Sequence, residues 1–468
     1  MSLSTLNEDV LRIIAEMLSA TQCIPLSSVS RDLHAIARQY VFASITVRSE
    51  EQLVKIHDHL IRNIDNRLLW PRELTIYGPT EMPPAAPVID ALVGIFEHAQ
   101  ELRFLEVHDC ESLIDCNARL GEHLAALPHL SAIHLFNIGA QTLDALHKMV
   151  SRPEKACLSF TTPPIRRSLL RIAEGPVLGN VKRLTLRHFE FNAISEWQLL
   201  SKLTGAHPQL EVLDLDHRCV VYPCLILFPN IRRLTIADGI YGIQDPGNDV
   251  EPRRLDYLSF QPSDLHLIST LGIRSDYLRL YTEWLDFDPS GVDHELVSAA
   301  AVLELSLYQV ERHTEFCLAL AQAISAKWSR MRYLIWTIKT DDPHTVRWME
   351  DIVFSLSSSQ LLSIRLHVAH PRHTGPSHER WLGLLQRLEH VHISSVPSLR
   401  FYCQVLSEWN TDNTSKITWG RVEGDGGRRT LQPIPSWQGE RIHRYLQSPQ
   451  FCRTLRFDEE AALQYTGR

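Results

Sequence analysis

The chain has 468 residues, 44% hydrophobic and 22% charged, a balance that excludes intrinsic disorder. Its net charge of -8 disfavours nucleic acid as a general partner, because phosphate binding needs clustered positive charge.

The first ten residues, MSLSTLNEDV, lack the basic run and apolar core of a signal peptide. A cytoplasmic or nuclear location is therefore expected. The opening stretch from Leu6 to Ala37 reads as two amphipathic helices joined by a turn. Val10, Leu11, Ile14, Met17 and Leu18 fall on one helical face, with Asn7 as N-cap and Glu8 and Asp9 in the first turn. In the second helix Leu26, Val29, Leu33, Ile36 and Tyr40 recur every three or four residues, and Pro25 suits its start. Two such helices carry more apolar surface than they can hide from each other. They must cover either the next part of the chain or another protein.

A pattern then recurs: an apolar residue, two others, an apolar residue, one other, an apolar residue. LRFLEV (102–107), LSAIHL (130–135), VKRLTL (181–186), LEVLDL (210–215), IRRLTI (231–236) and LDYLSF (255–260) carry it. So do VLELSL (302–307), LLSIRL (361–366) and LEHVHI (388–393), and weaker copies end at Ile76, Phe160, Leu280 and Trp336. The central apolar residues fall at 74, 105, 133, 158, 184, 213, 234, 258, 278, 305, 334, 364 and 391, at intervals of 20 to 31 residues. The alternating end of each copy predicts a short half-buried strand. Helical spacing follows in several intervals: Leu143, Leu146 and Val150; Leu318, Ala321 and Ile324; Trp348, Ile352 and Leu356. Strand, crossover helix and parallel strand, repeated, stack into an α/β solenoid in which each unit buries its apolar face on its neighbours. PTEMPPAAP (79–87) reads as an inserted loop or a rigid spacer.

VVYPCLILFP (220–229) is the longest apolar stretch, but it holds two prolines and is half the length a bilayer demands, so no membrane contact is expected. The nine cysteines are odd in number and scattered, with no C-x-x-C, and read as reduced, mostly buried thiols. His217, Cys219 and Cys224 in HRCVVYPC are too loosely spaced for a zinc site. GDGGRR (424–429) lacks a strand–helix frame and reads as an exposed turn. No metalloprotease, hydrolase-elbow or phosphate-loop motif occurs. No catalysis, cofactor or metal is expected.

Strand parity selects a face. The residues alternating with the apolar ones include Arg183, Thr185 and Arg187, then Val212, Asp214 and Asp216. Further along they include Glu304, Ser306 and Tyr308, and finally His390, His392 and Ser394. Tyrosine gathers in the middle copies, where Tyr257, Tyr277, Arg279, Tyr281, Tyr308 and Tyr333 are the expected target-binding patch, with Glu304 beside Arg279. A tyrosine ladder that only stiffens the sheet is the other reading. After Pro397 the repeat fades. TSKITWG and CRTLRF look like two remnants, and a tail with Trp419, Trp437 and Phe457 is expected to cap the last turn.

These repeats resemble the leucine-rich-repeat family over about residues 70–400, in degenerate form. The family's Asn or Cys, five places after the central Leu, is met by Cys110 and missed at Ile138, Phe189 and Arg218. The resemblance implies an irregular horseshoe with a parallel concave sheet and helices on the convex side.

The opening stretch resembles the F-box motif, from LNEDVL through PLSSVSRDLHAIA to VFASITV. The family pattern begins Leu-Pro-x-Glu-Val-Leu and later shows a segment like Val29-Ser30-Arg31. Here Asn7 replaces the usual Pro and Asp9 the usual Glu. The order of the two motifs resembles that of fungal F-box/leucine-rich-repeat proteins. That resemblance implies a substrate receptor of a Skp–cullin–F-box ubiquitin ligase. Leu6, Asn7, Val10, Leu11, Ile14, Leu18, Leu26, Val29, Arg31 and Leu33 would hold a Skp-type adaptor, and through it a cullin. The expected organisation is an F-box domain at 1–47, a helical linker at 48–70, repeats at 71–400 and a C-terminal capping region at 401–468. The alternative is an interaction scaffold independent of any ligase, whose first helices only cap the solenoid.

Overall fold

A computed structural model describes residues 6–61, 67, 70–78, 84–161, 168–189, 207–216, 219, 221–237, 253–282, 299–308, 329–339, 349–350, 356–370, 376–408, 416–424 and 429–466. The chain divides into two compact units, 1–231 and 232–468. The sequence had placed no boundary there.

The first unit opens with three helices, α1 (Glu8–Glu16), α2 (Ala20–Ser27) and α3 (Arg31–Val41). Two were expected. Ser30 ends the second segment early: its hydroxyl accepts from the Leu33 amide at 3.2 Å and starts α3. Pro25 therefore sits inside α2 and not at a helix start. Seven strands follow: β1 (Ser44–Val47), β2 (Glu73–Ile76), β3 (Phe104–Val107), β4 (Ala132–Ile138), β5 (Lys155–Phe160), β6 (Arg183–Arg187) and β7 (Val212–Asp216). Each pairs in parallel with the next. The Glu50–Ile61 helix, expected as a linker, is the crossover from β1 to β2. Leu74, Leu105, Ile133, Leu184 and Leu213 occupy matching register positions and are buried. The fourth copy is shifted by two residues, because Ala156, not Leu158, stands between Ile133 and Leu184.

Helices cover the apolar side of this sheet. Leu92, Phe96, Leu113, Leu120 and Leu124 from three helices meet Ile76 and Val107 of the strands. Each such side chain, fully buried, contributes about 1.5–3 kcal/mol. Val150, expected on the Ala140–His147 helix, lies beyond its end and is exposed.

Two backbone devices join the repeats. The carbonyl just before a strand accepts two amides from the next copy: Arg72 O from Arg103 and Phe104 at 2.8 and 2.9 Å, Arg332 O from Leu362 and Ser363 at 2.7 and 3.1 Å. Four residues after the central apolar position, Asp109, Asn137 and His188 adopt left-handed backbone, with φ of 54°, 57° and 52°. The Asn137 amide donates to the Asp109 carboxylate, tying successive turns. Gly78 holds the same place in the earlier copy, where a Cβ would overlap that carboxylate. The next residue in each turn, Cys110, Ile138 or Phe189, is buried. The missing Asn is thus replaced by core packing. In a later turn a thiol makes the link, as Cys219 Sγ donates to the carbonyls of Leu186 at 3.3 Å and Asp216 at 3.1 Å.

Glu111 supplies a further link. Its carboxylate accepts from the amides of Gly139, Gln141 and Thr142, each at 2.9 Å, and from the Thr142 hydroxyl at 2.7 Å, capping the Ala140–His147 helix of the next repeat. Charged acceptors at a helix start are among the stronger hydrogen bonds. Glu111→Ala should cost about 2–3 kcal/mol in urea unfolding of the first unit; a loss below about 0.5 kcal/mol would mean that water replaces the cap.

The second unit carries β8 (Arg233–Ile236), β9 (Arg253–Phe260), β10 (Ile273–Thr282), β11 (Val302–Tyr308), β12 (Tyr333–Lys339), β13 (Ser363–His370) and β14 (Phe401–Glu408), again parallel in chain order. β15 (Lys416–Glu423) and β16 (Thr430–Ile434) add antiparallel. Leu303, not Leu305, is the register partner of Leu278 and Leu334. LEHVHI is not a strand: it belongs to a Pro376–Ser395 helix, and the strand that follows β13 is β14. His390, His392 and Ser394 therefore leave the sheet face. TSKITWG does enter β15, whereas CRTLRF lies at the end of the Pro449–Thr454 helix and beyond it. The helices expected around Leu318 and around Trp348 and Ile352, and most of the proline-rich 79–87 stretch and of GDGGRR, lie outside the described residues.

Candidate functional site

The three N-terminal helices form a small module. Its core is Leu11, Ala15, Cys23, Leu33, Ile36 and Ala37, with Leu6, Leu18, Leu26, Tyr40 and Val41 packed around it. Each start is capped. Asn7 accepts from Asp9 at 3.3 Å, and Ser19 and Gln22 exchange the two bonds of a capping box. All members of this core lie within residues 6–41. Beside it a cleft of about 830 Å³ separates Leu18, Ser19 and Tyr40 from the strand starts at Arg72, Arg103 and Phe104.

The ten residues expected to hold an adaptor divide. Leu11 and Leu33 are buried core, and Leu6, Ile14, Leu18 and Leu26 are half-buried. Asn7, Val10, Val29 and Arg31 are exposed. Ile13, Met17, Ile24 and Val29 are 57%, 82%, 56% and 59% exposed. Ile13 and Ile24 were missed. They lie off the stripe that was read as one apolar face, and that stripe itself splits between the module core and its surface.

The tyrosine patch in the second unit is assembled but not open. Register sets Tyr257 opposite Tyr277, and Val302 between Tyr277 and Tyr333. The Tyr257 and Tyr277 rings stack at 4.9 Å. Glu304 lies 3.3 Å from Arg279 and accepts from the Tyr277 hydroxyl. Tyr281 donates to Ile236 O at 2.6 Å. Side-chain surroundings of Tyr308 lie outside the described residues.

The C-terminal helices Ser436–Leu446, Pro449–Thr454 and Glu459–Gln464 fold onto this patch. Ile442, Tyr445, Leu446, Phe451 and Cys452 pack with Tyr277, Tyr333, Ile335 and Phe401 in one core, and Tyr257 lies against it. Polar contacts register the helices. Tyr333 and His443 meet at 2.6 Å, Arg365 and Glu440 at 3.1 Å, and Arg453 and Asp256 at 3.0 Å. Tyr277 and Tyr333 are buried, and burial pushes both hydroxyls well above the ordinary tyrosine range. The expected target patch is corrected accordingly. Two of its residues are interior, covered by the tail that was expected only to cap the last turn.

The corresponding parity face in the first unit is more exposed. Tyr77, His108 and Phe136 stack in sequence at 4.8 and 4.4 Å, and Arg187 continues the row 5.7 Å from the Phe136 ring. Behind this row, Glu106 lies between His108 at 2.9 Å and His134 at 3.5 Å. Burial lowers the pKa of His134, and Glu106 partly offsets that. Arg183 and Arg187 meet Asp214 and Asp216 at 3.0 and 3.1 Å. The row was legible in principle, by continuing the strand parity three residues past each central position. It was missed because tyrosine alone was taken as the marker.

Cys219 and Cys224 are buried, and burial drives Cys219 up to about 11 and Cys224 well above its ordinary range, so both stay protonated. His217 lies outside the described residues. Among the described residues no group of three His, Cys, Asp or Glu side chains is arranged to hold a metal ion, and no helix is long and apolar enough to cross a membrane. No protein-family model matches the chain, and no curated protein matches it.

Proposed function

We propose that the chain is a non-catalytic substrate receptor of a Skp–cullin–F-box ubiquitin ligase, working in the cytoplasm or nucleus. The N-terminal module docks on a Skp-type adaptor, and the first unit's Tyr77–His108–Phe136–Arg187 row contacts the target. The observation that carries this reading is the module itself. It closes its own core within residues 6–41, yet leaves Val10, Ile13, Met17, Ile24 and Val29 in water. A helix pair that served only as a solenoid cap would turn such residues onto the first strand. Large apolar side chains held in solvent by a folded module mark a protein-binding surface.

Co-expression with a Skp-type adaptor tests the reading. Wild type should recover adaptor, and Ile13→Asp with Met17→Asp should lose at least about 2–3 kcal/mol of affinity with no change in thermal unfolding. Leu11→Asp is the contrasting control. It places a charge in the module core, and it should unfold residues 6–41 before any interface is probed. If wild type recovers no adaptor, or the double variant recovers as much as wild type, the ligase reading fails and the ligase-independent scaffold replaces it.

A further inference from the structure

The second unit gathers positive charge where the chain as a whole is acidic. A cleft of about 670 Å³ is lined by Arg332, Arg400, Arg429 and Arg456, with Gln360 and Ser398 between them and no acidic side chain among the described residues of its lining. The fold builds this cluster. Arg332 and Arg400 hold the same place in their repeats, just before β12 and β14, and the Leu362 carbonyl that precedes β13 links them through the amide of Arg400. Arg456 follows the Pro449–Thr454 helix, and Arg429 precedes β16.

Two of the guanidinium groups are fixed by backbone, not by acids. Arg332 Nη1 donates to Ser329 O at 2.6 Å and Met331 O at 3.0 Å. Arg429 donates to Ile393 O at 2.9 Å, to Val396 O at 2.6 Å and to Leu399 O. A guanidinium has five N–H donors, so each keeps donors beyond these bonds. Among the described residues, none of the four arginines forms an ion pair with a carboxylate. The neighbouring Arg421 is different, because Glu459 answers its charge. Burial lowers the pKa of Arg332 and Arg429, and Arg330 adds to the effect at Arg332, which is the signature of cations without a counter-charge.

We propose that this cleft binds a small multiply charged phosphate anion, one with at least two linked or adjacent phosphate groups. Planar guanidinium forks match phosphate oxygens in bidentate fashion. Four of them around one space answer more charge than a single phosphate carries. The volume lies in the range of small-molecule sites. A nucleic-acid strand would instead need a groove that tracks its backbone, with successive aromatic platforms, and the cleft offers one aromatic side chain among the described residues, Phe457.

The test is calorimetric titration of the full chain with tripolyphosphate, pyrophosphate and orthophosphate, at low and moderate salt. One tripolyphosphate should bind per chain, pyrophosphate more weakly, and orthophosphate at least about tenfold more weakly than tripolyphosphate. Affinity should fall as salt rises. Arg400→Gln with Arg456→Gln changes the two arginines that, among the described residues, no backbone carbonyl holds. It should weaken tripolyphosphate at least about tenfold while the ligand-free thermal midpoint stays at the wild-type value. No binding of tripolyphosphate by folded wild type would overturn the proposal, and so would equal affinity in the double variant. Capture of phosphoserine peptides that tripolyphosphate fails to displace would overturn it in favour of a phosphorylated protein partner. Adaptor recovery is a separate readout, so this proposal and the ligase reading fail independently.

Discussion

Phe451→Ala should destabilise the second unit by about 3–5 kcal/mol in denaturant unfolding. Phe451 is fully buried, and its ring lies 5.8 Å from that of Tyr445. It sits in the core that joins the C-terminal helices to Tyr277, Tyr333 and Phe401. Removing the ring forfeits its transfer from water and leaves a cavity, because Ile442 and Leu446 come from a different helix and can close in only partly. The loss should appear with a raised exposure of tyrosine, followed by near-ultraviolet circular dichroism. The result also bears on function. A cost under about 1 kcal/mol would mean that the tail packs loosely, which would return Tyr277 and Tyr333 to the residues a target could reach. A cost in the expected range makes the tail a permanent part of the unit's core and leaves target contact to surfaces such as the Tyr77–Arg187 row.

Much of the architecture was legible because a half-buried parallel strand writes a two-residue alternation, and a stacked repeat writes it again at similar spacing. The parallel, chain-order sheet follows from that alone. Register was less legible. Ala156, Leu158 and Phe160 share one parity, as do Leu303 and Leu305, so a two-residue slip preserves every facing and alternation cannot detect it. LEHVHI failed for a different reason. Leu385, Leu388, His392 and Ile393 are buried on one side of a helix, while Leu388 and Ile393, with Val391 between them, also satisfy the strand pattern over so short a window.

The site was legible by parity and not by cover. Alternation told which residues share a face with Tyr277, and the structure brings Tyr257, Tyr277 and Glu304 together. Nothing local in residues 253–308 records that a segment more than a hundred residues later folds onto them. The signal lay in the tail itself. Ile442, Tyr445 and Leu446 recur at helical spacing, and their apolar face had to meet something. At the N-terminus the same helical period was read correctly as amphipathic, but period alone does not divide a stripe into the residues that close a module and those that remain outside it.

The second unit should lose stability steeply in mild acid, through the buried His392 and the half-buried His443. His443 belongs to the Ser436–Leu446 helix and meets Tyr333 of the sheet. Burial, with Arg365 and Arg444 nearby, holds it down to about 3. Its Nδ1 faces the Tyr333 hydroxyl at 2.6 Å, a geometry in which the neutral ring accepts the tyrosine proton. Glu440 does not offset this field, because it is engaged by Arg365 at 3.1 Å and by the Trp419 indole at 3.2 Å. His392 is fully buried beside Tyr402, and burial holds it down to about 4. In the unfolded chain both return to the ordinary value near 6.5. Above that value neither state carries the proton and the pair has no effect on folding. Below it the unfolded chain takes up protons that the native state refuses, so stability falls as pH drops toward 4 and then 3, by about 1.4 kcal/mol per pH unit for each ring. Between pH 7 and pH 5 the two together should remove about 4 kcal/mol. The measurement is guanidinium unfolding of the second unit at both pH values, in wild type and in His443→Gln, whose amide can still accept from Tyr333. The variant should show about half the wild-type loss. Equal losses in the two proteins would place the acid sensitivity on other groups and remove His443 from the account.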